Sequence, residues 1–557
     1  MSFSRLFQPL LIISFLFFCL SILNPVHTRP WPGFFSELFA FIGVILLLPI
    51  LWQKKVVVPR ISLPFLFIAF IPLVQYGLGQ VFFYSNAILS FSYLFYFWLT
   101  LVIGFNLTID QNKLNGGDSF NLYNFLAYVF IFCGLVSSVM MYFQWLGLAQ
   151  ASSFIMSYVG NRPYANMAQP NHLATFLYAG ICSCLYLFEK YRINKIQLVF
   201  LGGLLLFSIA LTQSRTAWLI TVFISFFLFY YVRKKSLRLS KKTILYSIVY
   251  FIFVSLVLPY LNSFLSHYFS INSTHTVYDR ATTGFGRLNI WNQMYHAIVQ
   301  SPWIGYGWNQ TTAAQFNVVD AISGREWATS AHNLFLDILV WCGIPLGLLI
   351  ILFFTYFYFN LFKGISNIEG AFVFLIISSF IIHALLEYPL YYAYFLLPFG
   401  LMCGTLIINK QHKELIIKKI YIIYIFILSL LGLTFIASEY VKVEDNLFAG
   451  RLHAMGNLKS NVELPYRLYF FDNFNQRAHW LALYPKMKVN QQQIQNSQYM
   501  VKSYLKPYDL HKSAQLLAFN GYSDEARRQL KILQIMYGLE FSYQSLLDGK
   551  EEQVLEK

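Results

Sequence analysis

Thirteen apolar runs follow one another along this 557-residue chain. Each is close to the ~20 residues that a helix needs to cross the hydrocarbon core of a membrane. Only 11% of the residues are charged, whereas about 25% are charged in an ordinary soluble domain. The predicted fold class is therefore an all-α polytopic membrane protein with about 13 transmembrane helices. The runs lie at 6–24, 34–52, 62–79, 87–105, 123–148, 172–188, 196–212, 216–232, 243–260, 333–359, 370–387, 391–408 and 420–437. We expect the first to be a retained helix, because no small-residue cleavage pattern follows it.

The short loops between the runs predict the orientation, because loops rich in lysine and arginine stay in the cytoplasm. With a cytoplasmic N-terminus, 19 basic residues before 438 fall inside and 6 fall outside. The six outer residues are all arginines: Arg29, Arg162, Arg215, Arg280, Arg287 and Arg325. We therefore expect the C-terminal tail and the large loop at 261–332 to lie outside. The formal charge of +16 reflects this orientation and indicates contact with membrane lipids, so no nucleic-acid partner is predicted.

Two regions outside the apolar runs define the predicted domain organisation. Residues 1–437 form a multi-spanning membrane domain, whose large outer loop at 261–332 contains a helix predicted from the spacing of Leu288, Trp291, Met294 and Ile298. Residues 438–557 form a small outer domain, with a helix, a glycine turn and a second helix at 514–538, as in one helical repeat. All six cysteines lie in apolar runs, which argues against disulfides or a cysteine metal site.

Polar side chains at the outer ends of the spans are the candidate site. Pro170 opens the sixth span, and Gln169, Asn171 and His172 lie beside it. An alternative to headgroup binding is ordinary helix-start chemistry, with Asn171 as the cap. Arg215 lies in a tight outer turn, where a guanidinium either extends to lipid phosphate or binds a substrate phosphate in a bidentate way.

The large outer loop adds two further candidates, Arg287 at the start of its predicted helix and His332 before the tenth span. His332 is either a helix cap or a proton acceptor, since imidazole changes protonation near neutral pH. In a later span, His383 and Glu387 are four residues apart and are expected to share one helix face, either as a site or as a packing pair. Tyr388 begins an aromatic rim, and the lone Glu37 is interpreted as a membrane-interface residue.

Five segments together resemble the bacterial O-antigen ligase and polymerase (Wzy_C-like) superfamily, and within it the general protein O-oligosaccharyltransferases of the PglL type. They are AQPNHLATF at 168–176, SRTAW at 214–218, GFGRLNIWNQM at 284–294, SAHNLFLDILVWCGIPLG at 330–347 and HALLEYPLYYAYFLLPFG at 383–400. Each motif is weak alone, but five in the same order and on the same predicted face form a specific signal.

The resemblance implies an inner-membrane enzyme that moves a glycan from undecaprenyl diphosphate to a hydroxyl of a periplasmic protein, such as a pilin. It implies that Arg215 and Arg287 bind the diphosphate, that His332 is catalytic, and that Gln169 and Tyr388 are also needed. Outer loops lack D-x-D or E-x-D pairs, so we predict no metal and no cofactor. The alternatives are an O-antigen ligase, a polysaccharide polymerase, a lipid-linked glycan transporter, or a non-catalytic assembly subunit.

Overall fold

The computed structural model describes residues 3–52, 55–113, 121–158, 160–234, 237–269, 271, 286–408, 415–456 and 458–548. Within the large loop predicted at 261–332, residues 270 and 272–285 lie outside the described residues. The described chain folds into two compact units. The first consists of 1–66, 95–284 and 355–431, and the second of 67–94, 285–354 and 432–557.

Helices account for nearly all regular structure in the described residues. The helices up to the large loop are α1 Phe3–Leu23, α2 Phe34–Ile45, α3 Leu63–Gly77, α4 Tyr84–Lys113, α5 Leu122–Trp145, α6 Pro170–Glu189, α7 Lys195–Thr212, α8 Arg215–Lys234 and α9 Lys241–Leu265. After it come α10 Gly286–Gln300, α11 Thr311–Val318, α12 Leu334–Lys363, α13 Ile368–Ala384, α14 Ala393–Leu406 and α15 Lys419–Met455. The last helices are α16 Asp472–Ala482, α17 Gln491–Ser503, α18 Pro507–Phe519, α19 Ser523–Tyr537 and α20 Tyr543–Asp548.

Every predicted apolar run coincides with a helix, but fewer than thirteen are long enough to count as spans. Ten helical segments in the described part of the chain have the length and hydropathy to cross a membrane. Three further apolar helices are shorter, at Pro9–Leu23, Ile368–Ala384 and Ala393–Leu406. The described residues thus support a multi-pass membrane protein with about ten candidate spans, and the exact number of spans stays a prediction. The orientation and the outer position of the tail stay predictions.

Close backbone approach shapes the first unit. A Cβ at Gly104 of α4 would lie 2.1 Å from the carbonyl oxygen of Leu401 in α14, and one at Gly404 would lie 2.2 Å from that of Leu101. Small residues allow this contact, which is a common way for helices to associate in lipid. A two-stranded antiparallel sheet, β1 Val56–Val58 with β2 Leu415–Ile417, was not predicted; Val56 pairs with Ile417.

A break in α12 organises the second unit. Gly343 has a φ of 72°, a left-handed value that interrupts the helix before Pro345. The turn that contains Trp303 and Gly305 packs into this break, since a Cβ at Gly343 would lie 2.7 Å from the Trp303 carbonyl oxygen. This close contact fixes the segment PWIGYGW at 302–308 against α12, so glycine is needed there for packing.

The tail is helical, as predicted. α18 and α19 are joined at Gly521, whose φ is 90°, and this is the helix, glycine turn and helix expected at 514–538. α15 continues without interruption from Lys419 to Met455. At 1.5 Å per residue its length is about 55 Å, well beyond the ~30 Å hydrocarbon core. The backbone therefore shows no break at the predicted boundary at 438, and that boundary stays a prediction.

Candidate functional site

The start of α6 is capped by Gln169. Its side-chain oxygen accepts the His172 backbone N–H at 2.9 Å, and Pro170 occupies the first helical position, where a missing N–H has no cost. Asn171, which the sequence suggested as the cap, instead directs its amide to Glu387 Oε1 at 2.8 Å. The capping alternative was thus right about Pro170 and wrong about which side chain caps, and Asn171 is available for a different contact.

Glu387 joins two segments that are distant in sequence. Its Oε2 accepts Gln169 Nε2 at 2.8 Å, while Oε1 accepts the Asn171 amide. His383 and Glu387 lie side by side as expected, but not on one regular helix, because α13 ends at Ala384 and Glu387 lies beyond it. The Glu387 backbone N–H donates to the His383 carbonyl oxygen at 2.8 Å. Glu387 is 3% exposed, so these charge-assisted hydrogen bonds stabilise a carboxylate that is otherwise costly to bury.

Arg162 extends this polar cluster to the turn between α7 and α8. Its Nη2 donates to Asn171 Oδ1 and its Nε to the Thr212 carbonyl oxygen, both at 2.8 Å. The sequence placed Arg162 among the outer arginines without a role. The scarcity of basic residues in the predicted outer loops pointed to Arg162. Its partner Thr212, 50 residues away, could not be identified from the sequence spacing.

Arg215 begins α8 immediately after that turn, and it is exposed. The turn is left-handed at Gln213, with a φ of 50°. The Ser214 backbone N–H contacts Thr212 Oγ1 at 3.3 Å, and the carbonyl of Thr212 is the one that Arg162 binds. Arg215 thus follows directly after a turn in which both the hydroxyl and the carbonyl of Thr212 accept hydrogen bonds.

Two histidines lie inside the same unit beside the Glu387 carboxylate. The His172 and His383 rings meet edge to face, with centroids 5.2 Å apart. His172 also contacts the rings of Tyr388, Tyr392 and Phe395, with centroids at 6.0, 5.1 and 5.7 Å. Tyr388 is therefore part of the wall around His172, in addition to the aromatic rim predicted for it.

These two imidazoles and Glu387 are also the residues that could hold a metal ion. One donor atom from each of the three lies within 4.8 Å of the others, and all three residues are buried. Two nitrogens and one carboxylate oxygen form a set that zinc accepts, although its ligands usually lie closer together. Both oxygens of Glu387 already accept amide hydrogens, which would orient the carboxylate toward an ion. The predicted absence of a metal stays a prediction.

Glu37 corrects a second interpretation. It is buried, and its Oε2 accepts the backbone N–H of Ala393, the first residue of α14, at 2.6 Å. A carboxylate at a helix N-terminus satisfies a donor that the helix cannot, and it complements the helix dipole. Glu37 therefore caps α14, 356 positions away, and its buried carboxylate does not extend to lipid as the sequence interpretation expected.

In the second unit, α10 begins at Gly286 as predicted, and Arg287 is its second residue. A Cβ at Gly286 would lie 2.3 Å from a carboxylate oxygen of Glu326, so only glycine fits there without a shift. Trp291, four residues after Arg287 and on the same face, donates from Nε1 to the Ala331 carbonyl oxygen at 2.9 Å. This bond joins α10 to the residue that precedes His332. The apolar face of α10 is only partly buried: Met294 and Ile298 are buried, while Leu288 and Tyr295 are exposed.

His332 has a left-handed backbone, with a φ of 53°. The helix cap that follows is Asn333, whose Oδ1 accepts the N–H groups of Phe335 at 3.0 Å and Leu336 at 3.1 Å. His332 therefore does not supply the cap of α12, which removes the ordinary explanation for its presence. A non-glycine residue in this region costs of order 1–2 kcal/mol, and such strain persists only where neighbouring contacts maintain it.

Asp337 supplies those contacts. Oδ1 accepts the Thr311 hydroxyl at 2.9 Å and the Ala331 backbone N–H at 2.8 Å, and Oδ2 accepts the Ser330 hydroxyl at 2.7 Å. The Ser330 oxygen in turn accepts the His332 backbone N–H at 3.0 Å. The sequence alone gave Asp337 no role. It is 1% exposed and fixes both residues before His332, so it positions that loop.

The predicted residues thus fall into two groups. Gln169, Asn171, His172, His383, Glu387 and Tyr388 come together within the first unit, linked by Arg162 to the turn before Arg215. Arg287 and His332 lie in the second unit, connected through Trp291 and Ala331. Guanidinium groups bind phosphate oxygens, and a partly exposed imidazole can accept a proton, so the chemistry present suits transfer from a phosphate-linked donor.

Comparisons with known proteins agree with this chemistry. A family model described as protein glycosylation ligase matches residues 163–188, one described as O-antigen ligase matches 200–351, and one for the C-terminal part of a virulence-factor membrane-bound polymerase matches 372–547. A general O-oligosaccharyltransferase of Acinetobacter baylyi is 34% identical over 545 residues, which is 96% of this chain and 94% of that protein. A ComP-specific O-oligosaccharyltransferase of the same organism is 34% identical over 374 residues, 66% of each chain. The three matched ranges include all nine predicted site residues.

Proposed function

Because the chain belongs to the bacterial O-oligosaccharyltransferase family, we propose that it moves a glycan en bloc from undecaprenyl diphosphate to a serine or threonine hydroxyl of periplasmic proteins. The observation that carries this proposal is the similarity over 96% of the chain to a relative named for this activity. The structure adds support, because Arg215 begins α8, Arg287 is the second residue of α10 and His332 precedes α12, so the residue types that such a transfer needs lie at helix ends.

The location follows from the same proposal. The protein would lie in the inner membrane, with its N-terminus in the cytoplasm and its site facing the periplasm. The support is the 19 to 6 distribution of basic residues before 438. Alkaline phosphatase fused after residue 445 should be active, and fused after residue 238 it should be inactive. The opposite pattern would place these loops in the cytoplasm and exclude a periplasmic donor.

Arg215 and Arg287 would bind the diphosphate of the donor. When the anomeric carbon leaves its phosphate oxygen, negative charge develops on the diphosphate, and guanidinium groups placed in advance stabilise it. The fork of arginine donates two parallel hydrogen bonds to a phosphate, which the point charge of lysine does not reproduce. Their scarcity supports the role, since the outer loops before 438 contain six arginines and no lysine.

His332 would accept the proton of the acceptor hydroxyl as its oxygen attacks the anomeric carbon. The carbon–phosphate-oxygen bond breaks in the same displacement, so undecaprenyl diphosphate leaves and the configuration inverts. Asp337 and Ser330 hold the His332 backbone in its left-handed conformation, which presents the imidazole without using it as a cap. General-base catalysis of this kind typically contributes 10²–10⁴-fold to a rate.

The polar cluster of the first unit would serve the sugar end of the donor. Gln169 and Asn171 are held by Glu387, and Arg162 holds Asn171 from its other side. Amide and carboxylate groups fixed in this way match the hydroxyls of a glycan, and the rings of His172 and Tyr388 provide an apolar wall beside them. The cluster therefore fits binding and orientation, whereas proton transfer would belong to His332.

The acceptor would be a range of proteins, pilins included. The relative described as general aligns over 96% of this chain, while the ComP-specific relative aligns over 66% at the same identity. Intact-mass measurement of periplasmic proteins from a deletion strain tests this directly. Loss of a glycan mass from several proteins supports the proposal, and unmodified proteins with an altered lipopolysaccharide would indicate the ligase or polymerase alternative.

The chemical test uses purified enzyme, lipid-linked donor and acceptor protein. Arg215→Lys and Arg287→Lys should each reduce transfer by about 10-fold or more, since a charged hydrogen bond contributes roughly 1.5–3 kcal/mol. Arg325→Lys is the matched control, because Arg325 is an exposed outer arginine in the same loop as Arg287. Unchanged transfer by both site variants would remove the diphosphate role.

A further inference from the structure

A large cavity lies between helices α5 to α9 of the first unit, apart from the residues discussed above. Its volume is about 1000 Å³, at the upper end of the roughly 300–1,000 Å³ found for pockets that hold small molecules. Apolar side chains dominate its wall, among them Leu198, Leu206, Phe207, Ile224 and Leu228. Such a space suits a hydrocarbon ligand.

The depth of the cavity matches one leaflet of a membrane. Along α7 its wall extends from Lys195 to Phe207, a rise of about 18 Å at 1.5 Å per residue. Half of the ~30 Å hydrocarbon core is about 15 Å. Acyl chains that enter beside Lys195 and follow α7 would therefore be accommodated over nearly their full length.

One end of the cavity is basic and polar. Lys195 and Lys242 line it there, together with Ser240 and Thr243. The segment before α9 is fixed, because Glu189 at the end of α6 accepts the backbone N–H groups of Arg238 at 2.9 Å and Leu239 at 2.6 Å. This ordered end of the cavity, with the two ammonium groups of Lys195 and Lys242, complements the negative charge of an anionic lipid headgroup.

Two adjacent glycines line the cavity. Gly202 and Gly203 lie in the middle of α7, and a Cβ at either would meet nothing within 4 Å. The space beside them is therefore open, and a larger side chain at either position would enter it.

We propose that this cavity binds an anionic phospholipid, with its acyl chains along α7 and its phosphate between Lys195 and Lys242. This lipid is distinct from the glycan donor. The donor arginine Arg215 begins α8 just after the opposite end of α7, and the 18 residues of α7 rise about 27 Å. With the N-terminus in the cytoplasm, the lipid would come from the inner leaflet.

Native mass spectrometry of the full-length protein with phosphatidylglycerol and phosphatidylcholine of identical chains tests the proposal. The wild-type protein should retain phosphatidylglycerol in preference to phosphatidylcholine. A lysine near a membrane surface contributes about 5-fold to anionic-lipid binding, so Lys195→Gln with Lys242→Gln should weaken it by about 30-fold. Lys241→Gln is the control, since Lys241 is exposed, adjacent in sequence and not part of the cavity wall.

A second variant tests the cavity without altering charge. Gly203→Phe would place a ring in the open space and should exclude the lipid, while the helix gains stability from the loss of glycine. Equal retention of the two phospholipids, or an equal loss in Lys241→Gln, would overturn the proposal. So would displacement of phosphatidylglycerol by undecaprenyl phosphate, which would assign the cavity to the tail of the donor.

Discussion

Replacing His332 by glycine separates its chemical role from its structural one. The backbone of His332 has a φ of 53°, where glycine is unstrained and asparagine is tolerated. His332→Gly should therefore relieve up to about 1–2 kcal/mol of strain, and the protein should unfold at an equal or higher temperature. Asn333 continues to cap α12 in this variant, so the helix start is unaffected.

Transfer should respond in the opposite direction. A second variant, His332→Asn, keeps a residue that tolerates the left-handed backbone. Neither glycine nor asparagine replaces imidazole as a proton acceptor, so His332→Gly and His332→Asn should each lose roughly 10²-fold or more in transfer rate. His332→Ala is the comparison, because alanine lacks the imidazole and also keeps the backbone strain. It should match the other variants in rate and be the least stable of the three.

The assay is glycan transfer to a purified acceptor protein at equal enzyme concentration, with thermal unfolding of the same preparations. Donor binding should persist in all three variants, because it would rest on the arginines. A glycine or asparagine variant that transfers at near the wild-type rate would refute the reasoning and leave His332 with a structural role only. A large loss of stability in His332→Gly would show that the side chain, and not the backbone, holds the loop.

Three further predictions concern groups around and beyond the transfer site. Asp337→Ala should reduce transfer by about 10-fold or more, because it leaves the buried Ala331 N–H without its acceptor at a cost of roughly 1–3 kcal/mol. Asp337→Asn should keep most activity, and equal losses in the two variants would exclude a positioning role for Asp337. In the tail, burial lowers the pKa of Lys512 to about 7. The unfolded chain then binds one more proton between about pH 7 and 10, so stability in urea should rise with pH by up to about 1.4 kcal/mol per unit, and Lys512→Met should remove this rise. Transfer should survive EDTA with no stoichiometric metal found by mass spectrometry; one metal per chain, lost in His383→Ala, would contradict this.

The sequence determined the helices and the identity of the main candidate residues. Apolar runs near 20 residues become helices because a backbone in hydrocarbon can satisfy its polar groups only within itself, and this holds regardless of neighbours. Pro170 and Gly521 marked a helix start and a helix turn for equally local reasons, since each restricts or frees its own backbone. The candidate residues were selected because arginine, histidine and amide side chains are uncommon at the predicted outer ends of apolar spans.

Only the tertiary structure decided what those residues contact. Glu387 binds Gln169, 218 positions away, and Glu37 caps a helix 356 positions away, so no spacing in the sequence relates them. Local spacing also suggested Asn171 as a cap and a shared helix face for His383 and Glu387. The cap was wrong, because the Asn171 amide binds Glu387 instead. His383 and Glu387 do lie side by side, but α13 ends before Glu387. The left-handed backbone of His332 and the cavity along α7 also depend on tertiary packing. Buried polar groups take whichever partners the folded chain brings within hydrogen-bonding distance, and the order of residues in the sequence does not specify those partners.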